Sequence, residues 1–251
     1  MNKIDAAIYP LNEGYYTIGF DKVFYPFDKD KDILEDRSRG SLLVEIQPFL
    51  IVTPTRKILL DTGLGFTNPD TGNLKIIDNL AKHELGADEI TDIVMSHLHK
   101  DHAGGFFNES DGQLELTFSN ARVHINKKEF DFATDDKNSL SYNTELIKLL
   151  EQKANILWFT GNRIIDFIEY KEDGGHCPYH SSLLLHTSKG KYFFGGDVAP
   201  QLKQLKFRYI AKYDFDGKRS LELRTGYAAK GKEEDWTFLF YHDVKLPMSK
   251  V

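Results

Sequence analysis

One cysteine, Cys177, stands in 251 residues, which rules out an intramolecular disulfide and fits a reducing compartment. Long apolar runs are missing as well. The longest, such as SLLLH and RKILLD, are strand-sized and far short of the about 20 residues that a membrane-crossing helix needs. Positive charge is not in excess: 32 Lys and Arg face 38 Asp and Glu, for a net charge of −6, and the basic residues are scattered. A phosphate-backbone binder is therefore not expected. The N-terminal stretch MNKIDAAIYPLNEGYY meets Asp5 and Pro10 before an apolar core of signal-peptide length, so no secretory signal is expected. No repeat period and no low-complexity segment interrupts an ordinary globular balance of 41% hydrophobic and 28% charged residues. These absences predict a soluble cytoplasmic chain whose partner is a small molecule, neither a nucleic acid nor a membrane.

What is present reads as alternating strands and helices. Residues 41–63 predict two or three strands, broken at Pro48 and at the turn TPTR. Residues 73–86 predict a helix closed by a glycine, and 90–96 a buried strand. Next come a strand running into a turn over 121–132 and an amphipathic helix over 143–154. Hairpin-like strands follow over 162–174 and 181–197, with SKGK as the turn. A helix within 217–232 and a strand over 236–243 close the chain. Interleaved elements of this kind predict an α/β or α+β class, with strands buried against helices. No linker divides them, so a single domain over residues 1–251 is expected.

Three of the nine histidines fall in SHLHKDHAGG, residues 96–105. In an extended segment residues two apart point the same way, so His97 and His99 can converge on one point. If the backbone bends at Ala103-Gly104-Gly105, Asp101 and His102 face a second point close by. Imidazole and carboxylate are the ligands of zinc-like ions, so H-x-H-x-D-H suits two adjacent cations. Its chance occurrence in this chain is on the order of one in a thousand. One loop cannot complete two sites. His176 in DGGHCPYHSS, Asp197 in YFFGGDVAP and His242 in FLFYHD lie at predicted strand ends or beside glycines, and they supply further candidates. A carboxylate at Asp197 suits a bridge between two ions roughly 3.5–4 Å apart.

SHLHKDHAGG, GGHCPYH, GGD and YHD, in that order and after ILLDTGLG, resemble the motif series of the metallo-β-lactamase superfamily. In detail they look most like its lactonase and organophosphate-hydrolase branch. The resemblance covers about residues 41–243 and leaves the segment 1–40 without a motif. It implies a four-layer αββα sandwich with two divalent metals, zinc first and manganese, iron or cobalt as alternatives, at the edge between two sheets. It further implies one metal on His97, His99 and His176 and the other on Asp101, His102 and His242. Asp197 would bridge them with a water-derived hydroxide, and Asp61 would orient a ligand histidine from behind. The implied enzyme is a dinuclear metal-dependent hydrolase, lactonase- or esterase-like. Its bridging hydroxide would cleave a small lactone, carboxylic ester or phosphotriester, with Asp101 and Asp197 catalytic. Relatives of this kind are often homodimers, and that assembly is compatible with the sequence.

The pattern is broken at Pro200, where lactonases of this branch carry a tyrosine over the substrate carbonyl; Tyr179 is one candidate replacement. By the family pattern His176 goes to the metal and His180 to support, while Cys177 is given no ligand role. His83, His124 and His186 read as structural or surface residues. Phe106, Phe107 and the aromatic stretch 19–27 read as core first, and as pocket wall or dimer contact second. A glyoxalase II-like thioester hydrolase shares the ligand set and would use basic residues such as those in KQLKFRYIAK to hold glutathione. A mononuclear iron persulfide dioxygenase is the reading from another class. The complete Asp101–His102–His242 set argues against it.

Overall fold

Ile58, Leu59 and Leu60 are all fully buried, yet Leu59 faces one core while its two neighbours face another. The side-chain period of a strand is two, so such a run needs apolar layers on both sides of a sheet. The computed structural model describes residues 3–110, 112–138 and 140–251, and it supplies those layers twice.

The strands before the metal-loop motif are β1 (Ala7–Pro10), β2 (Tyr15–Ile18), β3 (Phe24–Phe27), β4 (Leu42–Glu45), β5 (Phe49–Val52), β6 (Lys57–Leu60) and β7 (Asp92–Val94). After it come β8 (Phe107–Ser110), β9 (Gln113–Leu116), β10 (Arg122–Asn126), β11 (Asn155–Phe159), β12 (Arg163–Ile165) and β13 (Ile168–Glu172), then β14 (Ser181–Thr187), β15 (Gly190–Phe194), β16 (Thr237–Leu239) and β17 (Met248–Ser249). The helices are α1 (Lys75–Ala81), α2 (Lys100–Ala103), α3 (Lys127–Ala133), α4 (Thr144–Lys153), α5 (Leu202–Lys206) and α6 (Gly217–Glu233). One six-stranded sheet runs in the order β1-β5-β6-β7-β10-β11 and the other β12-β13-β14-β15-β16-β17. Strands β6, β7, β10 and β11 are parallel, and so is the pair β15–β16.

Three cores make four layers. The central one joins the inner faces of the two sheets: Ile51, Ile58, Leu60 and Val94 meet Ile168, Leu183, Leu185 and Phe194. Leu50, Leu59, Ile93 and Val123 turn outward to Leu80 of α1, Phe130 of α3 and Ile147 of α4. Leu184, Phe193 and Phe238 turn outward from the second sheet to Leu205 of α5 and Leu223 and Tyr227 of α6. The class is therefore α/β, an αββα sandwich. A third sheet, β3-β2-β4, lies outside this frame. The N-terminal segment thus has a place that no motif foretold: β1 pairs with β5 along the edge of the first sheet, and β2 pairs with β3 and β4.

Over 121–132 the expectation needs correction. The strand ends at Asn126, and a helix rather than a turn follows over Lys127–Ala133. EFDF alternates as a strand would. The Asn126 side chain, however, accepts a hydrogen bond from the Lys128 amide, which caps a helix. Phe130 and Ala133, three apart, are then both buried on one helix face.

At the start of β7, away from the histidine loop, the Asp92 side chain is fully buried. It is held by Arg56 at 2.8 Å, Arg122 at 3.0 Å and His124 at 3.0 Å. Burial pushes its carboxyl up, but hydrogen bonds from His124 and Arg56 outweigh that and hold it below the usual carboxylate range. A depressed pKa gives stability that is present above the unfolded value and lost as pH falls below about 4. Asp92→Ala is expected to cost about 2 kcal/mol at neutral pH by removing the acceptor that Arg56, Arg122 and His124 share, leaving Arg56 with only Asp166 at 3.3 Å. In urea titrations the gap to wild type should narrow at acid pH; a gap that is constant with pH would contradict this account.

Candidate metal centre

Beyond β7 the chain passes Met95 and Ser96 to His97 and His99, then turns once through α2, which carries Asp101 and His102. His176 comes from the loop between β13 and β14. Asp197 lies in a short turn after β15, and His242 follows β16. The ends of parallel strands are where open α/β sheets place ligand sites. All seven sequence-predicted residues converge there. One set of ligand atoms joins His97, His99 and His176, and a second joins Asp101, His102, Asp197 and His242; within each set the atoms lie within 4.8 Å of one another.

The loop 61–65 is laced to α2 by two backbone hydrogen bonds, Thr62 N–H to the His102 carbonyl at 2.7 Å and Gly104 N–H to the Gly63 carbonyl at 2.9 Å. Gly104 itself has ordinary helical angles. Its role is space rather than bending: a Cβ there would stand 2.1 Å from the Leu64 carbonyl oxygen. Gly104→Ala should therefore destabilise the protein by about 2 kcal/mol, although alanine is favoured over glycine in helices by about 1 kcal/mol. Thermal melts of the metal-free variant test the sign, and a stabilised variant would refute the close approach.

Three buried ligand atoms, His97 Nε2, His102 Nε2 and Asp197 Oδ1, have no hydrogen-bond partner among the described residues. His102 Nε2 and His242 Nε2 each lie 3.1 Å from Asp197 Oδ1, and His176 Nε2 lies 3.3 Å from Asp197 Oδ2. Asp101 Oδ2 is 3.3 Å from His242 Nε2 and 3.8 Å from His102 Nε2. Buried polar atoms that face one another without hydrogen-bonding are costly unless a further group satisfies them. This donor set of imidazole nitrogens and carboxylate oxygens fits a pair of divalent cations.

The electrostatics agree. Burial pulls His97 and His99 down, and the neighbouring histidines add to it, so both are held neutral as ligands must be. For His102 and His242 burial also acts downward, but it is outweighed by Asp197 and Asp101, which drive His102 well up and His242 to about 10. Burial would raise Asp197, yet His242, His102 and His176 hold it well below the usual range. The two carboxylates thus favour positive charge at this centre.

Three of the five clustered histidines are fixed from behind. His102 Nδ1–H donates to Asp61 Oδ2 at 2.7 Å, His176 Nδ1–H to Asp214 Oδ1 at 2.9 Å and His242 Nδ1–H to the Glu45 carbonyl at 2.7 Å. Those bonds leave Nε2 as the lone-pair nitrogen facing the centre. His180 stands in support: Nδ1 pairs with Asp173 at 3.1 Å, and Nε2 accepts the Asp197 amide at 3.1 Å. Asp214, Glu45 and Asp173 escaped sequence reading because no local pattern marks an acceptor that matters only through a distant partner. Cys177 is buried and donates to Glu129 Oε2 at 3.3 Å, and burial pushes its thiol well up.

A cavity of about 780 Å³ opens on His99, Asp101, His176, Asp197 and His242. Tyr179 does not line it; its ring packs edge-on against Phe132. Tyr213 does line it, with its ring 6.1 Å from that of His176. Phe20 and Phe24 form part of the wall, whereas Phe27, Phe106 and Phe107 are core. Among the other histidines, His124 pairs with Asp92, His186 with Glu169, and His83 packs on Tyr9.

Among solved structures, a probable metal-dependent hydrolase from Staphylococcus aureus is 20% identical with a TM-score of 0.75, over 99% of this chain and 93% of that one. AidC, described as a dizinc quorum-quenching lactonase, is 20% identical with a TM-score of 0.76, over 100% and 92%. The hydrolase AbOPH is 22% identical with a TM-score of 0.76, over 100% and 91%. These likenesses bear on the fold. No curated protein matches. The sequence model of the metallo-β-lactamase superfamily matches residues 45–236, most of the chain, and the chain belongs to that superfamily.

Proposed function

We propose that this protein is a dinuclear metal-dependent hydrolase of small lactones, carboxylic esters or phosphotriesters. The observation that carries the reading is the set of three buried, unpartnered ligand atoms inside the seven-residue cluster. His97, His99 and His176 would hold one cation and Asp101, His102 and His242 the other, with Asp197 shared, and zinc is the first choice of metal. Such a pair supplies Lewis acidity and a hydroxide nucleophile near neutral pH, where free water has a pKa of about 15.7. The chain's own residues do the rest. The cavity orients the substrate with its reacting carbonyl or phosphoryl group toward Asp197. Of the two wall tyrosines, Tyr209 and Tyr213, Tyr213 has its ring beside that of His176 and would donate to a substrate oxygen. Asp101, at the cavity edge, accepts the proton and delivers it to the departing group.

The test is to count metals in the purified protein and to assay a lactone, an aryl ester, a phosphotriester and a glutathione thioester. Two metals per chain with turnover of any of the first three supports the proposal; activity on the thioester alone overturns it. Asp101→Asn keeps the shape but loses the proton acceptor, and should lower kcat by about a hundredfold. An unchanged kcat would remove Asp101 from the proton path.

A further inference from the structure

The cavity wall carries five basic side chains, Lys22, Lys100, Lys203, Arg208 and Lys212, and its only carboxylates are Asp101 and Asp197 of the metal cluster. That balance is the reverse of the whole chain, whose net charge is −6. None of the five lies within salt-bridge distance of a carboxylate among the described residues. Lys100 donates to the Leu140 carbonyl, and Lys22 sits over the Tyr213 ring at 5.5 Å. Some basic side chains outside the cavity are paired, as Lys57 is with Glu89, Lys128 with Glu172 and Lys191 with Glu234; what sets the cavity apart is five cations on one concave wall. The opposite wall is apolar, built by Ile18, Phe24, Leu42 and Val44 of the β3-β2-β4 sheet. The contact of Lys22 with Tyr213 joins the two walls.

A concave site lined by charge of one sign concentrates ligands of the other. Lys203, Arg208 and Lys212 are exposed, so a neutral substrate leaves them hydrated and gains nothing from their charge. An anionic substrate pairs with them. We infer that the substrate carries a carboxylate or phosphate held by Lys203, Arg208 and Lys212, next to a hydrocarbon part that lies on the β3-β2-β4 wall. The inference rests on the hydrolase reading above and names the substrate class for that site.

Two aryl esters with the same six-carbon acyl chain test it: 4-nitrophenyl hexanoate, which is neutral, and the mono(4-nitrophenyl) ester of adipic acid, which ends in a carboxylate. The metal-loaded enzyme should prefer the adipate in kcat/KM by about tenfold, the effect of two exposed ion pairs. The preference should fade as salt shortens the range of the field. Arg208→Gln with Lys212→Gln should abolish most of it through KM. The remote pair Lys171→Gln with Lys230→Gln should leave it intact. Equal kcat/KM for the two esters, or a preference indifferent to salt and to the first pair, overturns the inference and leaves the hydrolase reading standing. If a protein holding two metals turns over neither ester, the hydrolase reading is what fails, and calorimetric binding of the matching anilides decides the inference. Tenfold tighter binding of the adipic mono-anilide, lost in Arg208→Gln with Lys212→Gln, supports it; equal or absent binding overturns it.

Discussion

In the dinuclear centre proposed above, Asp197→Asn should lose at least one metal and lower kcat/KM by about three orders of magnitude, roughly 4 kcal/mol. The wild-type carboxylate places Oδ1 3.1 Å from both His102 Nε2 and His242 Nε2, and Oδ2 3.3 Å from His176 Nε2. An amide halves the number of acceptor atoms, removes the negative charge and turns N–H donors toward those nitrogens. The charge matters twice over. It draws cations to a buried site, and it is the largest influence favouring positive charge at His102 and His242 against burial. The fold should survive, since the three apolar cores do not include this side chain. Metal analysis and circular dichroism on the same sample separate the outcomes. A well-folded variant with two metals and wild-type turnover would show that Asp197 merely lies near the site.

The clustering of these residues was readable in the sequence because its spacing is local in part: His97, His99, Asp101 and His102 share one loop and one helical turn. The distant members were readable because Asp197 and His242 sit just past apolar strands and His176 beside a pair of glycines. The four-layer arrangement was expected only through the family resemblance, although the runs KILL and SLLLH, buried but for Lys57 and His186, fit cores on both faces. The segment 1–40 was not. Its strands are four residues long and half exposed, and they pair with β5 and β4, partners that no local pattern reveals. Tyr213 was missed for a similar reason. Sequence proximity to His176 favoured Tyr179, whereas Arg224 from α6 donates to the Val198 and Tyr209 carbonyls and so fixes the stretch that carries Tyr213 to the cavity.

Asp61→Asn is expected to weaken metal binding by about a hundredfold, the upper end for a residue that acts only through ligands. Two ligands depend on it. His102 Nδ1–H donates to Asp61 Oδ2, and His97 reaches the same oxygen through Ser96, whose hydroxyl lies 3.0 Å from His97 Nδ1 and donates to Asp61 at 2.7 Å. The other oxygen, Oδ1, accepts the Ser96 amide at 2.7 Å. Every neighbour of this carboxylate is thus a donor. An asparagine must turn its NH₂ either toward the Ser96 hydroxyl and His102 or toward the Ser96 amide, and each choice sets donor against donor. Relief comes from flipping a histidine tautomer, which puts a proton on the nitrogen meant for metal. Asparagine tolerates the backbone angle here, φ +58°, better than alanine does. Asp61→Ala should therefore lose metal affinity similarly and about 1 kcal/mol more stability through backbone strain. Chelator competition gives the affinity and thermal melting of the metal-free proteins gives the strain. Wild-type affinity in Asp61→Asn would mean that the histidines keep their tautomers without it.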